Sequence, residues 1–215
     1  MAVPEDSDIA PRAKRLLSEA VAIDEALETT IKAHLAAGDL AAAATAALEG
    51  LGPQILGYLT ATLRDDDIAY DVFGQFSEEL WKSIGTFRGE SSFKTWVYKL
   101  VMHAIGRHRR DPYRNRGRAL ASDEVSAIAL DVRSKTPRYK QTEVKDRIAR
   151  LREALEPADQ TLLFLRIDQG LPWNEVAAIM SEEGEPVEAA ALRKRLERAK
   201  ERLRKLATSD GLLDE

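Results

Sequence analysis

Apolar residues recur every three to four positions along most of this chain, and this period constrains the fold more than any other feature. Stretches that alternate apolar and polar residues, as half-buried strands do, are not found. The pattern therefore predicts an all-α protein. We expect helices near residues 12–34, 39–49, 53–63, 67–83, 92–109, 141–154, 158–168, 173–181 and 188–207, with first helical turns at Pro53, Pro157 and Pro172.

One long segment interrupts the helical period. From Asp111 to about residue 141 the chain is rich in Arg, Ser and Pro and has no firm periodicity, which predicts a linker between two helical domains. The expected organisation is an N-terminal helical extension at 1–34, a first domain at 35–110, a linker at 111–140 and a second domain at 141–215.

Composition excludes several classes of protein. The chain contains no cysteine, which rules out a disulfide framework, a zinc ribbon and a thiol nucleophile. The N-terminal residues have no apolar core of signal-peptide length, and no later run approaches the length of a membrane span. We therefore expect a cytoplasmic protein with no membrane partner.

Charge is strongly segregated although the formal net charge is only −4. Residues 65–79 include six acids and no base, whereas residues 88–118 include nine bases against two acids. Residues 193–205 include eight bases against two acids. Two basic elements and one acidic helix indicate two nucleic-acid contacts and one protein contact. The alternative is that all three are solvated helix faces.

The last predicted helix has the pattern of a recognition helix in a helix-turn-helix. It follows a helix, a glycine turn at Gly170 and a short helix that contains Trp173. An apolar stripe on it faces the core and consists of Leu192, Leu196, Ala199, Leu203 and Leu206. The candidate DNA contacts lie off that stripe and are Ala190, Ala191, Arg193, Lys194, Arg195 and Arg198. A short coiled coil with basic flanks would show the same periodicity.

The segment Phe87–Arg110 mixes aromatic, hydroxyl and basic residues. Its loop offers an aromatic plane, a cation and hydroxyl groups, which together suit a base that has left the stack of a duplex. The candidate contacts for such a strand are Phe87, Arg88, Ser91, Ser92, Lys94, Lys99, His103, Arg107 and Arg110. The same residues would also be expected if the loop only capped and sealed the next helix.

No catalytic or metal-binding constellation is evident. His103 and His108 are five residues apart and do not share a helix face, so we expect no metal site. Paired acids such as Glu78 and Glu79 have no nearby nucleophile, and no glycine-rich phosphate loop is present. The sequence therefore predicts a binding protein with no catalytic residues and no cofactor, and not an enzyme.

The segment FRGESSFKTWVYKLVMHAIGRHRR (Phe87–Arg110), followed by a basic helix-turn-helix, resembles the extracytoplasmic-function (ECF) class of bacterial sigma factors. These are promoter-specificity subunits of RNA polymerase. The resemblance extends from about Leu35 to Ala207, with the family's second conserved region at 35–110 and its fourth at about 141–207. It implies an all-α protein of two helical domains that directs transcription initiation.

The resemblance also assigns roles to the three charged elements. The acidic helix would bind the clamp helices of the largest subunit of core RNA polymerase through Asp66, Asp67, Asp71, Gln75 and Glu78. The loop at 86–92 and the helix from Phe93 would melt and read the minus-ten element of promoter DNA. The helix from Glu188 would read the minus-thirty-five element as duplex. An anti-sigma factor and a kinase remain open as regulators.

Departures from the family pattern raise two expectations. Tyr70 and the Gly74-Gln75 pair stand where acids are common, so polymerase binding is expected to be weaker or conditional. A phosphate would restore the missing charge, and the hydroxyl groups near this helix are those of Thr60, Thr62 and Ser77. The alternative is that Tyr70 simply packs. The turn Ser181–Pro186 is longer than usual, and Pro172 replaces a Ser or Thr cap.

Two rival functions remain open, and so does the role of the N-terminal extension. A helix-turn-helix regulator would bind duplex DNA without polymerase, and an all-helical adaptor would use neither basic helix for DNA. The extension has an apolar helical stripe that includes Leu27 and Ile31. It is expected to pack on the first domain or to form a docking surface for a regulator.

Overall fold

The computed structural model describes residues 25–111, 123–136, 150–181 and 185–212, and most of these are helical. The helices are 25–36 (α1), Leu40–Leu63 (α2), Asp66–Ser83 (α3), Phe93–Arg110 (α4), Asp123–Lys135 (α5), 150–153 (α6), Pro157–Leu163 (α7), Trp173–Met180 (α8) and Ala189–Ser209 (α9). The predicted all-α class is confirmed. The predicted helical residues 12–24 and 141–149 lie outside the described residues.

Helices α1 to α5 form the first unit, in which α2, α3 and α4 enclose an apolar core. These three helices start at the capping residues that their sequences supply. Asp39 accepts a hydrogen bond from the Ala42 backbone N–H, and Asp65 accepts one from Ile68, both at 3.0 Å. Ser92 does the same for Thr95 at the start of α4. These caps set where each apolar face begins and therefore which residues enter the core.

Helix α2 differs from the prediction because it runs through Pro53 without a break. The segments predicted at 39–49 and 53–63 are one helix, so Pro53 is not in a first turn. Proline removes one backbone hydrogen bond within a helix and crowds the carbonyl four residues earlier. That carbonyl belongs to Glu49, an exposed residue, so water can hydrate it. The buried stripe on both sides of Pro53, from Ala43 to Leu59, keeps the helix continuous.

Part of the predicted linker is a helix. Helix α5 lies within 111–140, and it packs against α2 and α3 through the buried Val125 and Val132. Gly52 allows this approach, because a Cβ built on it would lie 3.0 Å from Val132 Cγ1. The apolar stripe of α5 is narrow, with two fully buried residues, and for this reason periodicity did not predict it.

Helices α6 to α9 form the second unit. Helix α7 continues into a π-helical turn, Phe164–Asp168, in which the Gln169 N–H donates to the Phe164 carbonyl. Gly170 then adopts a positive φ of 66°, and the Leu171 N–H donates back to Leu165. The predicted glycine turn is therefore present at Gly170. The π-helical turn, α8 and α9 converge on a small core of Leu162, Leu165, Val176, Leu192 and Leu196.

Helix α1 packs on α2. Ile31 is fully buried, and Leu27 lies against Gly50, where a Cβ would come within 2.5 Å of Leu27 Cδ2. The described part of the N-terminal extension therefore shows the packing role, one of its two predicted roles.

Candidate nucleic-acid interface

Helix α9 presents its small and basic residues on the side opposite its buried leucines. Leu192, Leu196 and Ala199 are buried in the second unit, as the periodicity predicted. The exposed side carries Ala190, Ala191, Arg193, Lys194 and Arg198. A helix with this division can enter a major groove with its cations toward bases and phosphates.

Arg195 differs from the other basic residues predicted as DNA contacts. Its Nε donates to Asp159 Oδ1 at 2.5 Å, and its Nη2 lies 3.5 Å from Glu156 Oε2. Asp159 is buried and also lies 3.7 Å from Arg202 Nη1. Arg195 therefore ties α9 to α7, and we assign it a role in holding the second unit together.

Trp173 is a residue whose role the sequence did not indicate. Two guanidinium groups lie near its ring, with Arg166 Cζ 5.1 Å and Arg193 Cζ 5.6 Å from the ring centroid. Both distances are within the range of cation–π attraction. The Arg166 Nη1 also donates to the Leu171 carbonyl at 2.8 Å. Trp173 thus connects the turn before α8 to the exposed end of α9 and restricts where Arg193 can point.

The loop before α4 is partly packed and partly exposed. The Phe87 ring is half-buried and lies 5.2 Å from Phe93 and 5.6 Å from Trp96, between ring centroids. Phe87 therefore helps to seal the first unit, which is the alternative that the sequence left open. Arg88 is the opposite case, because its side chain is 83% exposed and lies 4.0 Å from Glu90. Ser91 is half-buried.

Helix α4 becomes increasingly basic toward its C-terminal end, where its last turn contains Arg107, His108, Arg109 and Arg110. His103 and Arg110 are exposed, whereas Lys94 and Lys99 are half-buried. Arg107 donates to Glu79 of α3, so its charge is shared with an acid. Cations at a helix C-terminus are also favoured by the helix dipole, so this cluster has a structural benefit besides any contact with DNA.

The candidate polymerase contacts lie on α3. Asp66 and Asp67 are exposed in its first turn, while Asp71 and Gln75 are half-buried further along. Glu78 pairs with Lys82 one turn later, at 3.3 Å. Asp67, Asp71, Gln75 and Glu78 follow at helical spacing and share one side of α3.

Tyr70, where the resemblance led us to expect an acid, packs. Its half-buried ring lies under Arg133 of α5, whose Cζ is 3.6 Å from the ring centroid. Of the three hydroxyl groups considered for phosphorylation, Ser77 is fully buried and donates to the Phe73 carbonyl at 2.8 Å. Thr60 and Thr62 are half-buried. The packing alternative for Tyr70 is therefore the one that the geometry favours.

Glu175 of α8 also had no predicted role. Its Oε2 accepts from Thr95 Oγ1 and lies 2.9 Å from Ser92 Oγ, both at the start of α4. No sequence pattern indicates this contact, because Thr95 and Glu175 are 80 positions apart.

Two further observations bear on the class of protein. No group of three or more potential metal ligands occurs among residues 25–111, 123–136, 150–181 and 185–212. None of the helices formed by those residues is long and apolar enough to cross a bilayer.

Comparison with known proteins agrees with this arrangement. Residues 48–115 match the family model of sigma-70 region 2. The RNA polymerase sigma-H factor of Pseudomonas aeruginosa is 28% identical over 161 residues, which cover 71% of this chain and 79% of that protein. A solved structure of the sigma factor RpoE in complex with the anti-sigma factor NepR, from Bartonella quintana, matches with a TM-score of 0.55 and 16% identity. The match covers 76% of this chain and 95% of that chain, and it supports the fold.

The match to sigma-70 region 2 lies mostly within the first unit. The predicted resemblance to sigma-70 factors is confirmed by the region 2 match and by the sigma-H relative.

Proposed function

We propose that this chain binds core RNA polymerase and directs it to promoters by reading two DNA elements with its two units. The observation that carries the proposal is the face of α9 that exposes Arg193, Lys194 and Arg198 opposite a buried leucine stripe. This face occurs in a chain whose first unit matches sigma-70 region 2. A second, basic surface on α4 then supplies the other DNA contact.

The two units take different parts in the proposed function. Helix α9 binds the minus-thirty-five element as duplex, while Arg88 and the exposed cations of α4 hold the melted strand of the minus-ten element. The acidic side of α3 binds the clamp helices of the polymerase. Phe87 anchors this loop to α4, because its ring is packed against Phe93 and Trp96.

The proposal is tested by run-off transcription and promoter binding with bacterial core polymerase and a promoter library. Arg193→Ala with Lys194→Ala should weaken promoter binding by the holoenzyme by about 1–3 kcal/mol for each base-reading side chain that is removed. Removal of a side chain that holds a phosphate should instead weaken binding to all sequences alike, and it should reduce the slope of log affinity against log salt concentration by about one unit. Lys32→Ala is the matched control, because Lys32 is an exposed cation of α1 paired with Glu28.

Three outcomes separate the proposal from its rivals. Promoter binding only in the presence of core polymerase supports a sigma factor. Sequence-specific duplex binding by the chain alone indicates a helix-turn-helix regulator, and no DNA binding under either condition indicates an adaptor. Unchanged promoter binding by the double variant would remove α9 from the proposal.

Melting requires a separate measurement. Arg88→Ala should reduce open-complex formation and spare closed-complex binding, because the Arg88 side chain is exposed and contributes little to packing. Permanganate footprinting reports the melted thymines. Normal reactivity in the variant would contradict a role for Arg88 in holding the strand.

A further inference from the structure

The two units are joined by an aromatic contact. The Phe164 ring of the π-helical turn stacks on Tyr58 of α2, with centroids 4.1 Å apart and planes at 16°. It meets Tyr98 of α4 edge to face at 5.5 Å. The Tyr58 hydroxyl lies 2.8 Å from Thr161 Oγ1, so the contact is both apolar and hydrogen-bonded. All three rings are buried, which makes this a packed interface.

A polar contact lies beside the aromatic one, where α8 meets α4. Thr95 is fully buried, and its hydroxyl donates to the carboxylate of Glu175. Ser92 Oγ lies 2.9 Å from both Glu175 Oε2 and Thr95 Oγ1, and its one proton can go to either. The carboxylate is the stronger acceptor. It also lies at the positive end of the α4 dipole, which favours a negative charge.

The position of Glu175 conflicts with the proposed contact to DNA. Ser92 belongs to the loop that is proposed to hold the minus-ten strand, and it is engaged by α8. The start of α4, with its two hydroxyl groups and its positive dipole, is where a nucleotide phosphate of that strand would be stabilised. A carboxylate of the second unit already occupies this position. Helix α8 and the strand therefore compete for one surface.

We infer that the structure is a closed state in which helix α8 of the second unit covers the minus-ten surface of the same chain. The hydrogen bonds of Glu175 to Thr95 and Ser92 hold α8 there, and we call Glu175 the latch. Binding of the melted strand then requires the second unit to leave α4. The closed state itself stands on the contacts of Phe164, Thr161 and Glu175. Its inhibitory consequence rests on the proposed function.

The closed state can be measured directly as a distance. The chain contains no cysteine, so two spin labels can be introduced without removing any native thiol. Lys82→Cys on α3 and Lys205→Cys on α9 place them on exposed positions of the two units. In the full-length free protein we expect one narrow distance distribution. Glu175→Ala should move a large fraction to longer, broader distances, and Glu175→Gln should have a smaller effect because it keeps an acceptor.

Glu197→Ala is the matched control, because it removes an exposed carboxylate of the same unit that pairs with Lys200 on its own helix. It should leave the distance unchanged. A broad distribution in the unsubstituted chain would overturn the closed state. If Glu175→Ala leaves the distance distribution narrow and at the same distance, Glu175 does not hold the closed state.

The inhibitory consequence is tested with an oligodeoxythymidine single strand. If the open state is a minor population of roughly 10%, opening the chain should raise apparent affinity for this strand about tenfold. Glu175→Ala should show this gain and Glu197→Ala should not. Opening without a gain would show that α8 does not cover the strand's surface. Failure of every form to direct transcription with core polymerase would instead contradict the proposed function and leave the distance result intact.

Discussion

Arg195→Ala should destabilise the second unit more than it weakens DNA recognition. The substitution leaves Asp159 as a carboxylate whose side chain is only 9% exposed. Breaking a fully buried ion pair by removing one partner costs about 3–5 kcal/mol. The Arg195 side chain is 35% exposed and Arg202 remains 3.7 Å from the same carboxylate, so solvent and the second cation offset part of that loss. We therefore expect a decrease of about 2–3 kcal/mol in the free energy of unfolding.

Urea unfolding followed by circular dichroism measures this decrease. With a slope of about 2 kcal/mol per molar urea, the transition midpoint should fall by about 1 M. Lys194→Ala on the same helix is the control, because Lys194 is exposed and should change the midpoint little. The reasoning is refuted if Arg195→Ala keeps the wild-type midpoint and loses promoter binding as Arg193→Ala does. That result would make Arg195 a DNA contact.

Three further predictions concern packing and titration. Gly52→Ala should lower the free energy of unfolding by about 1–3 kcal/mol, because the new Cβ enters the space that Val132 of α5 occupies. Gly57→Ala should instead stabilise α2 by about 0.5–1 kcal/mol, because nothing lies within 4 Å of the new Cβ. Both effects are measured by urea unfolding, and a stable Gly52→Ala variant would exclude the close approach. Burial raises the pKa of Tyr58 above its ordinary value of 10.0, so its contribution to stability is present below pH 10 and is lost as pH rises through the higher folded pKa. Unfolding midpoints measured across this range should fall less steeply in Tyr58→Phe, and equal slopes would contradict the assignment. Arg133→Ala should cost about 0.5–1 kcal/mol by uncovering the Tyr70 ring, and no loss would mean that the cation–π contact is not formed in solution.

Most of the helices could be predicted from the sequence because they repeat their apolar residues at the helical period. The recognition-helix pattern could also be predicted from the sequence, because Leu192 and Leu196, which are buried, are interspersed with exposed cations in one helix. Local signals failed where a distant contact decides the outcome. Pro53 indicates a helix start when considered alone, yet packing on both sides carries α2 through it. Helix α5 has two buried valines, too few to produce a clear period.

The candidate site was predictable in its residue types and less so in its geometry. Charge counts predict which helices are basic enough to contact nucleic acid, but they could not show that Arg195 is held by Asp159 or that Phe87 is packed. The Arg195 outcome depends on a partner 36 positions away, and charge counts do not show which distant residues meet. The Phe87 outcome depends on how a short loop folds back on Phe93 and Trp96, which charge counts do not show either. Glu175 illustrates the limit, because only the folded chain brings it to Thr95.

The π-helical turn Phe164–Asp168 sets how α7, before it, is rotated about its axis relative to α8, after it. Such a turn accommodates one residue more than a regular α-helix of the same length. Removing one residue there would restore an ordinary helix and rotate α7 by about 100° relative to α8. Phe164 would then point away from Tyr58 while the Leu162 side of the core lost its register. Single-residue deletions at this turn should therefore be far more damaging than substitutions, and length at this position should be under stronger constraint than chemistry.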